Sequence, residues 1–153
     1  MKRLLLAAVI AIACLVGVTQ SGCSTTALPA GTGADSQATS VSAGDASLAK
    51  AFAERASNLE VEGQGTVSKL LTDDTAGARH QRFIVRLASG QTLLVTHNID
   101  IAPRVSSLRV GDTVSFKGEY EWNAQGGLIH WTHHDPTGSH ATGWIRHDGR
   151  TYQ

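Results

Sequence analysis

The fold is decided by the stretch Val114-Ser115-Phe116-Lys117-Gly118-Glu119-Tyr120-Glu121-Trp122, which alternates apolar and polar side chains. Successive side chains of a β-strand point to opposite faces, so this stretch predicts one apolar face and one solvated face. Gly118 lies between the aromatic residues, at a position where a small barrel can bend its sheet. We therefore expect a half-buried strand that belongs to a closed β-structure.

Four further stretches with strand character surround it. They cover residues 61–71, 82–87, 92–99 and 128–134. Gly63 and Gly65 interrupt the first of them, a spacing that suits a sharply coiled strand or a bulge. Residues 101–108 form a long connection after the third strand, in which we expect one short helical turn. Five strands with a long connection after the third indicate an OB-like barrel.

A helix is expected before the barrel. Asp45 is placed to cap it, because its carboxylate can accept from the orphan N–H groups of a first helical turn. Leu48, Phe52 and Leu59 then share one apolar stripe. We predict an amphipathic helix over residues 45–60 that packs on the barrel or closes one of its ends.

A hairpin is expected after the barrel. Asp148-Gly149 is a strong signal for a type I′ turn. The flanking segments, residues 144–147 and 150–153, carry Trp144 and Tyr152, which we expect to pack back onto the barrel. The predicted fold is mainly β: a small five-stranded OB-like barrel domain over residues 61–153, with an N-terminal helix and a C-terminal β-hairpin.

Residues 1–23 have the build of an export signal. A charged start precedes the apolar run 4–18, which is shorter than the ~20 residues of a stable membrane span. Ser21-Gly22-Cys23-Ser24 is similar to the bacterial lipoprotein signal, in which the cysteine is lipidated. Gln20 departs from that pattern, and ordinary cleavage after Ala27 is the alternative. We expect an exported protein, anchored to the periplasmic face of a bacterial membrane through lipidated Cys23, or secreted.

Composition limits the remaining possibilities. Residues 24–44 are mostly Ser, Thr, Ala and Gly, and predict a flexible tether. Cys14 lies inside the signal, so the mature chain keeps at most one cysteine and forms no internal disulfide. Lys+Arg and Asp+Glu are equal at 13 each, which gives no strong nucleic-acid signal. His80, Arg82 and Arg86 form a basic stripe without exposed rings, for which a solvated face is the expected role.

The histidines are concentrated in one part of the chain. All 7 lie between His80 and His147, and several fall in the run His130-Trp131-Thr132-His133-His134-Asp135-Pro136. Alternation in an extended strand places His133 and Asp135 on one face, about 6.6 Å apart along the strand. His140 can fold back toward them. We predict His133, Asp135 and His140 as ligands of a divalent metal such as zinc.

Further polar groups are expected at the same edge, from His97, Asn98 and Asp100 at the end of the third strand. The predicted binding surface consists of His97, Asn98, Asp100, His130, Trp131 and Trp144. His134 and His97 are the candidates for a catalytic base. The alternative is that the histidines donate to backbone carbonyls, stack on the tryptophans and seal the barrel mouth.

Three functions are compatible with these features. The first is a binding module of the cell envelope that takes a metal ion or a polar oligomeric ligand at the histidine-rich edge. The second is a metal-dependent hydrolase, acting on phosphodiesters as a nuclease does, with His133, Asp135 and His140 as ligands. The third is a structural envelope protein.

Several runs together resemble one known family. They are residues 97–104, 118–123, 130–136 and 143–153, and the His130–Pro136 run is the most distinctive of them. They are similar to a family of small exported bacterial proteins classified as domain of unknown function 3465, over roughly residues 61–153. The resemblance implies an exported protein and no established activity, so it assigns no catalytic residue.

Overall fold

The computed structural model describes residues 42–153. The predicted signal 1–23, with Cys23, and the tether up to residue 41 lie outside the described residues. A single helix, α1 (Ala43–Glu54), precedes the strands of the described part. The strands are β1 (Leu59–Leu70), β2 (His80–Arg86), β3 (Thr92–Asn98), β4 (Thr113–Glu121), β5 (Leu128–His130), β6 (Trp144–His147) and β7 (Arg150–Tyr152). No helix of residues 42–153 has the length and apolar character to cross a membrane.

The first five strands close into a barrel, as predicted. Their order is β1-β2-β3-β5-β4, and β1 pairs with β4 to close the sheet. All these pairs are antiparallel except β3 with β5, which run parallel. The parallel pair requires a crossover, which residues 99–127 supply by way of β4. The mainly β, OB-like fold expected from the alternation is confirmed.

Strand β1 closes the barrel because it pairs with both β2 and β4. Its first part, Leu59–Thr66, pairs with β4, and its end pairs with β2 with a register shift between Val67 and Lys69. Both glycines of β1 face close neighbours: a Cβ on Gly63 would lie 2.8 Å from the ring of Phe116, and one on Gly65 would lie 2.8 Å from a backbone oxygen. Of the two predicted alternatives, the bulge is present, and it falls after the glycines.

The core lies between the inward faces of these strands. In β4 the residues Val114, Phe116, Gly118 and Tyr120 alternate with more exposed ones, as the sequence predicts. The other barrel strands, the hairpin strand β6 and the helix α1 supply the side chains buried with them. These are Leu48, Val67, Phe83, Val85, Leu93, Val95, Ile129 and Ile145.

The helix begins earlier than predicted and ends earlier too. Ser42, rather than Asp45, is its N-cap, and the Ser42 hydroxyl accepts from the Asp45 N–H at 3.1 Å. Asp45 lies in the first turn and is buried. The helix stops at Glu54 because Arg55 adopts a left-handed conformation (φ 53°). Leu59, expected on the helix, is the partly exposed first residue of β1.

Two local expectations in the long segments are wrong. Residues 101–108 form turns without a helix, because both backbone polar groups of Val105 are bonded to the buried Gln81 side chain. The Val105 N–H donates to Gln81 Oε1 at 2.9 Å, and the Val105 carbonyl accepts from Gln81 Nε2 at 3.0 Å. The fifth strand, expected to reach residue 134, ends at His130, since Trp131 has a positive φ of 51°. Thr132 then turns inward and is fully buried.

The C-terminal hairpin is confirmed. Asp148 and Gly149 have φ angles of 48° and 72°, as a type I′ turn requires. Strand β6 pairs with β4, which attaches the hairpin to the barrel. Trp144 is buried, and Tyr152 is partly buried against the core.

Candidate functional site

The histidine-rich run forms a loop, residues 131–143, between β5 and β6. Its two ends lie together, since the Gly143 N–H donates to the His133 carbonyl at 3.0 Å. A side chain on Gly143 would collide with the carbonyls of Trp131 and Lys117, so the chain approaches the barrel most closely here. The loop is therefore fixed at both ends.

Asp135 organises the middle of this loop. Its carboxylate accepts from the Thr137 N–H (2.8 Å) and hydroxyl (2.7 Å), from the Ser139 hydroxyl (2.8 Å) and from the His140 N–H (2.8 Å). These donors, the Thr137 hydroxyl first, hold the pKa of Asp135 far below its usual range. A metal ion would have to displace bonds that shape the loop, so Asp135 is a loop-forming residue in this geometry.

Four rings are in contact along the loop. Trp131 stacks with His130 (centroids 4.8 Å apart, planes at 30°) and with His140 (4.6 Å, 14°). His133 meets His140 edge to face at 5.0 Å. Two imidazoles thus pack on one indole. The indole holds these two histidines in place.

A cleft of ≈ 230 Å³ opens beside this stack. It is lined by His80, Thr96, Asn98, His130, Trp131, His133 and His140. We call it the histidine pocket. Its floor is the outward face of β2 and β3, where His80 is paired with Asn98, and its wall is the 131–143 loop. A second cleft of ≈ 260 Å³ is also lined by Trp131 and His140, together with Glu119 and Lys117.

Three of the pocket histidines are anchored in the same way. The Nδ1 atoms of His80, His133 and His140 lie 2.8, 2.9 and 2.8 Å from the backbone carbonyls of residues 78, 134 and 141. A carbonyl only accepts, so each Nδ1 carries the proton and each Nε2 keeps its lone pair in the neutral ring. Burial lowers the pKa of His133, which favours that neutral form.

His97 lies inside the barrel rather than at the pocket. It is fully buried, with Nδ1 2.9 Å from the Thr132 hydroxyl and Nε2 3.1 Å from the Pro103 carbonyl. Burial lowers its pKa. With both ring nitrogens bonded and no exposure, His97 connects the loop to the core and does not act as a base in this geometry.

The other predicted site residues are dispersed. Asn98 lines the pocket, whereas Asp100 accepts from Arg79 through both the N–H and Nε at 2.7 Å, which lowers its pKa. Trp144 is buried beneath the guanidinium of Arg146, at 3.9 Å. His134 is exposed, with its Nδ1 3.3 Å from the Thr142 hydroxyl. Of these four residues, Asn98 alone lines the histidine pocket.

The predicted metal ligands lie near one another: His140 Nε2 is 4.0 Å from Asp135 Oδ2, and the centroids of the His133 and His140 rings are 5.0 Å apart. Within residues 42–153, one group of three has ligand atoms that all lie within 4.8 Å of one another, and it consists of Glu119, Glu121 and His130. His133, Asp135 and His140 are not such a group. The alternation along β4 predicts a solvated face for Glu119 and Glu121, so neither was expected at a site. His80 was expected on a solvated basic stripe and not in the lining of a pocket. The pairing of His130 with Glu119 across β4 and β5 is the signal that was needed.

The family model described as "Protein of unknown function (DUF3465)" matches residues 34–153. The chain belongs to this family. No curated protein and no solved structure matches it. The match includes α1, so the helix is part of the DUF3465 region. The resemblance over residues 61–153 had placed the helix outside it.

One more polar cluster lies apart from the pocket of this DUF3465 chain. His147 is almost fully buried, with Nε2 2.8 Å from the Asp112 carboxylate and Nδ1 3.3 Å from the Ser107 hydroxyl. These are the residue types of a nucleophilic triad. The contact to Ser107 is long for a hydroxyl donor, and Asp112 is also held by the Arg109 N–H at 2.7 Å. The cluster fastens the hairpin to the loop before β4.

Proposed function

We propose that this domain is a binding module of the bacterial cell envelope and that the histidine pocket takes a neutral, hydroxyl-rich ligand, such as a segment of a polysaccharide. The observation that carries the proposal is the shared anchoring of His80, His133 and His140 through Nδ1. It fixes the orientation of three imidazoles around one cleft and leaves their Nε2 atoms as acceptors. The Nε2 atom of His140 lies 4.0 Å from Asp135 Oδ2, so His80 and His133 offer the two acceptors that are clear of a carboxylate.

The lining also contains a donor. The Asn98 carbonyl oxygen accepts from the Asp100 N–H at 3.0 Å, so its NH₂ group is left to donate. A hydroxyl group both donates and accepts, which matches a cleft that offers imidazole lone pairs beside an amide. A ligand of this kind would make several directional hydrogen bonds without burying a charge.

The charge of the lining argues against an anionic ligand. No Lys or Arg belongs to the residues that line the pocket. Burial favours the neutral form of His133, as described above. A phosphodiester backbone is bound through cationic side chains, so a nucleic acid is a poor match.

The position of the pocket is a further support, by analogy of fold. OB barrels bind oligosaccharides and oligonucleotides on the face of their second and third strands. The floor of the histidine pocket is the outward face of β2 and β3. Fold alone does not assign function, so the groups that line the pocket are the stronger support.

The envelope location is part of the proposal. It is supported by the signal-like residues 1–23 with the lipoprotein-like Ser21–Ser24 run. A tether such as residues 24–41 would let the domain reach ligands at a distance from the membrane.

The test is a titration followed by NMR of the imidazole side chains in the full chain. A soluble chitin oligosaccharide is the neutral probe, and a short single-stranded DNA is the anionic one. We expect the chitin oligosaccharide to shift the resonances of His80, His133 and His140, and His80→Ala to weaken its binding about tenfold. The exposed His134, replaced by Ala, is the matched control and should bind normally. Shifts caused by the DNA alone, or by neither probe, would contradict the proposal.

A further inference from the structure

We infer that Glu119, Glu121 and His130 form a binding site for a divalent transition-metal ion on the outer face of the barrel. Glu119 lies opposite His130 in the β4–β5 pair, and Glu121 lies two residues along the same face. The His130 Nε2 atom is 3.5 Å from Glu119 Oε1 and 3.9 Å from Glu121 Oε1. His130 also lines the histidine pocket, but Glu119 and Glu121 do not, and the metal site rests on the His130 Nε2 atom whereas the ligand proposed for the pocket rests on His80, His133 and His140.

The His130 ring has an unsatisfied nitrogen. Its Nε2 is buried and has no hydrogen-bond partner, the one such side-chain atom found in the part of the chain that the structure describes. Buried polar atoms of native proteins are nearly always paired, so an orphaned one calls for a ligand. Trp131 packs on the ring at 4.8 Å and keeps it turned toward the two carboxylates.

The two carboxylates also need a counter-charge. Glu119 and Glu121 are mostly shielded, with side chains 20% and 32% exposed. Lys117, the nearest cation along β4, is bound to Glu60 at 2.6 Å instead. Among residues 42–153, His130 lies within 4.0 Å of both glutamates, and no Lys or Arg does. Two carboxylates beside one imidazole favour a cation between them.

The spacing and the ligand types fit a transition metal. Metal–ligand distances of about 2.1 Å place the ligand atoms of a tetrahedral ion about 3.4 Å apart, close to the separations of His130 from each glutamate. One imidazole with two carboxylates suits ions such as zinc or manganese, whereas calcium and magnesium prefer oxygen ligands alone. Three protein ligands leave a coordination position for water.

The experiment is calorimetric titration of the full chain, purified without a histidine tag, with Zn²⁺ and with Mn²⁺. We expect one equivalent to bind, and His130→Gln and Glu121→Gln to weaken binding at least tenfold. Glu62→Gln removes an exposed carboxylate of β1 outside the cluster and is the matched control, with unchanged affinity. The thermal midpoint of each metal-free variant shows whether it is folded.

A second readout locates the ion. On addition of Zn²⁺, the Nε2 resonance of His130 should move more than that of any other histidine. Loss of binding in His80→Ala or His133→Ala, with His130→Gln unaffected, would place the ion in the histidine pocket and overturn the inference. Absence of binding by the wild-type chain would overturn it as well. A failure of the chitin oligosaccharide to bind leaves these outcomes unchanged, so the two proposals fail separately.

Discussion

The Trp131 ring lies parallel to the His140 ring, with centroids 4.6 Å apart and planes at 14°. The contact joins the first residue after β5 to the far side of the 131–143 loop. Because His130 also stacks on the indole, with centroids 4.8 Å apart, one side chain positions two pocket histidines. The pocket therefore depends on Trp131 although Trp131 is 38% exposed.

Replacing Trp131 with Ala should loosen the 131–143 loop and lower the stability of the domain. Two ring contacts are lost, each worth about 0.5–1.5 kcal/mol, so the free energy of unfolding should fall by about 1–3 kcal/mol. Urea unfolding followed by circular dichroism measures this loss. Trp131→Phe keeps an aromatic ring on which the two histidines can pack and should lose less. Equal losses in the two variants would mean that stacking is not what holds the loop.

The loop should respond to acid through Asp135. Its folded pKa is depressed, so its contribution to stability is present above the unfolded pKa of about 3.9 and is lost as pH falls below it. Wild type should therefore lose stability from about pH 4 downward more steeply than Asp135→Asn. Denaturant unfolding at a series of pH values checks this. Parallel curves for the two chains would show that the Asp135 bonds do not favour the folded state.

His97 should make the domain less stable in mild acid. Burial lowers its folded pKa, so the unfolded chain binds more protons as pH falls below the unfolded value of about 6.5. Stability should decline from pH 7 toward pH 5, and His97→Gln should flatten part of that decline. His133, whose pKa is also lowered, contributes in the same direction. His134→Gln, at an exposed position, serves as the control. An unchanged slope in His97→Gln would contradict the assignment.

Gly118→Ala should destabilise the barrel. An added Cβ would collide with the His130 carbonyl and lie 3.0 Å from an Ile129 methyl group. Overpacking of this kind costs about 1–3 kcal/mol in unfolding free energy. Ser115→Ala, on the more exposed face of the same strand, should change stability by less than about 0.5 kcal/mol. If Gly118→Ala were as stable as Ser115→Ala, close strand approach would not be the reason for this glycine.

Lipidation of Cys23 predicts where the protein is found when bacterial cells are fractionated. The full chain should fractionate with bacterial membranes, and Cys23→Ser should move it to the soluble fraction, because one lost acylation site removes the anchor. Labelling with a radioactive fatty acid provides an independent measurement. Membrane retention of the Cys23→Ser chain would count against the lipid anchor, and a wild-type chain that is already in the soluble fraction would favour cleavage after Ala27.

The sequence by itself determined the barrel. The alternation from Val114 to Trp122, the position of Gly118 and the Asp148-Gly149 turn follow from backbone stereochemistry, which acts over a few residues and is readable from a pattern. The apolar stripe predicts the helix but not its ends, because Ser42, and not Asp45, supplies the cap.

Only the tertiary structure decided the site. The ligand set drawn from alternation assumed a strand up to residue 134, and one positive φ at Trp131 ends that strand and redirects every side chain after it. Thr132 then fills the barrel end beside His97. His80 joins the pocket from β2, and Glu119 meets His130 through the β4–β5 register. Such meetings between distant parts of the chain are set by packing and strand pairing, which no local pattern encodes.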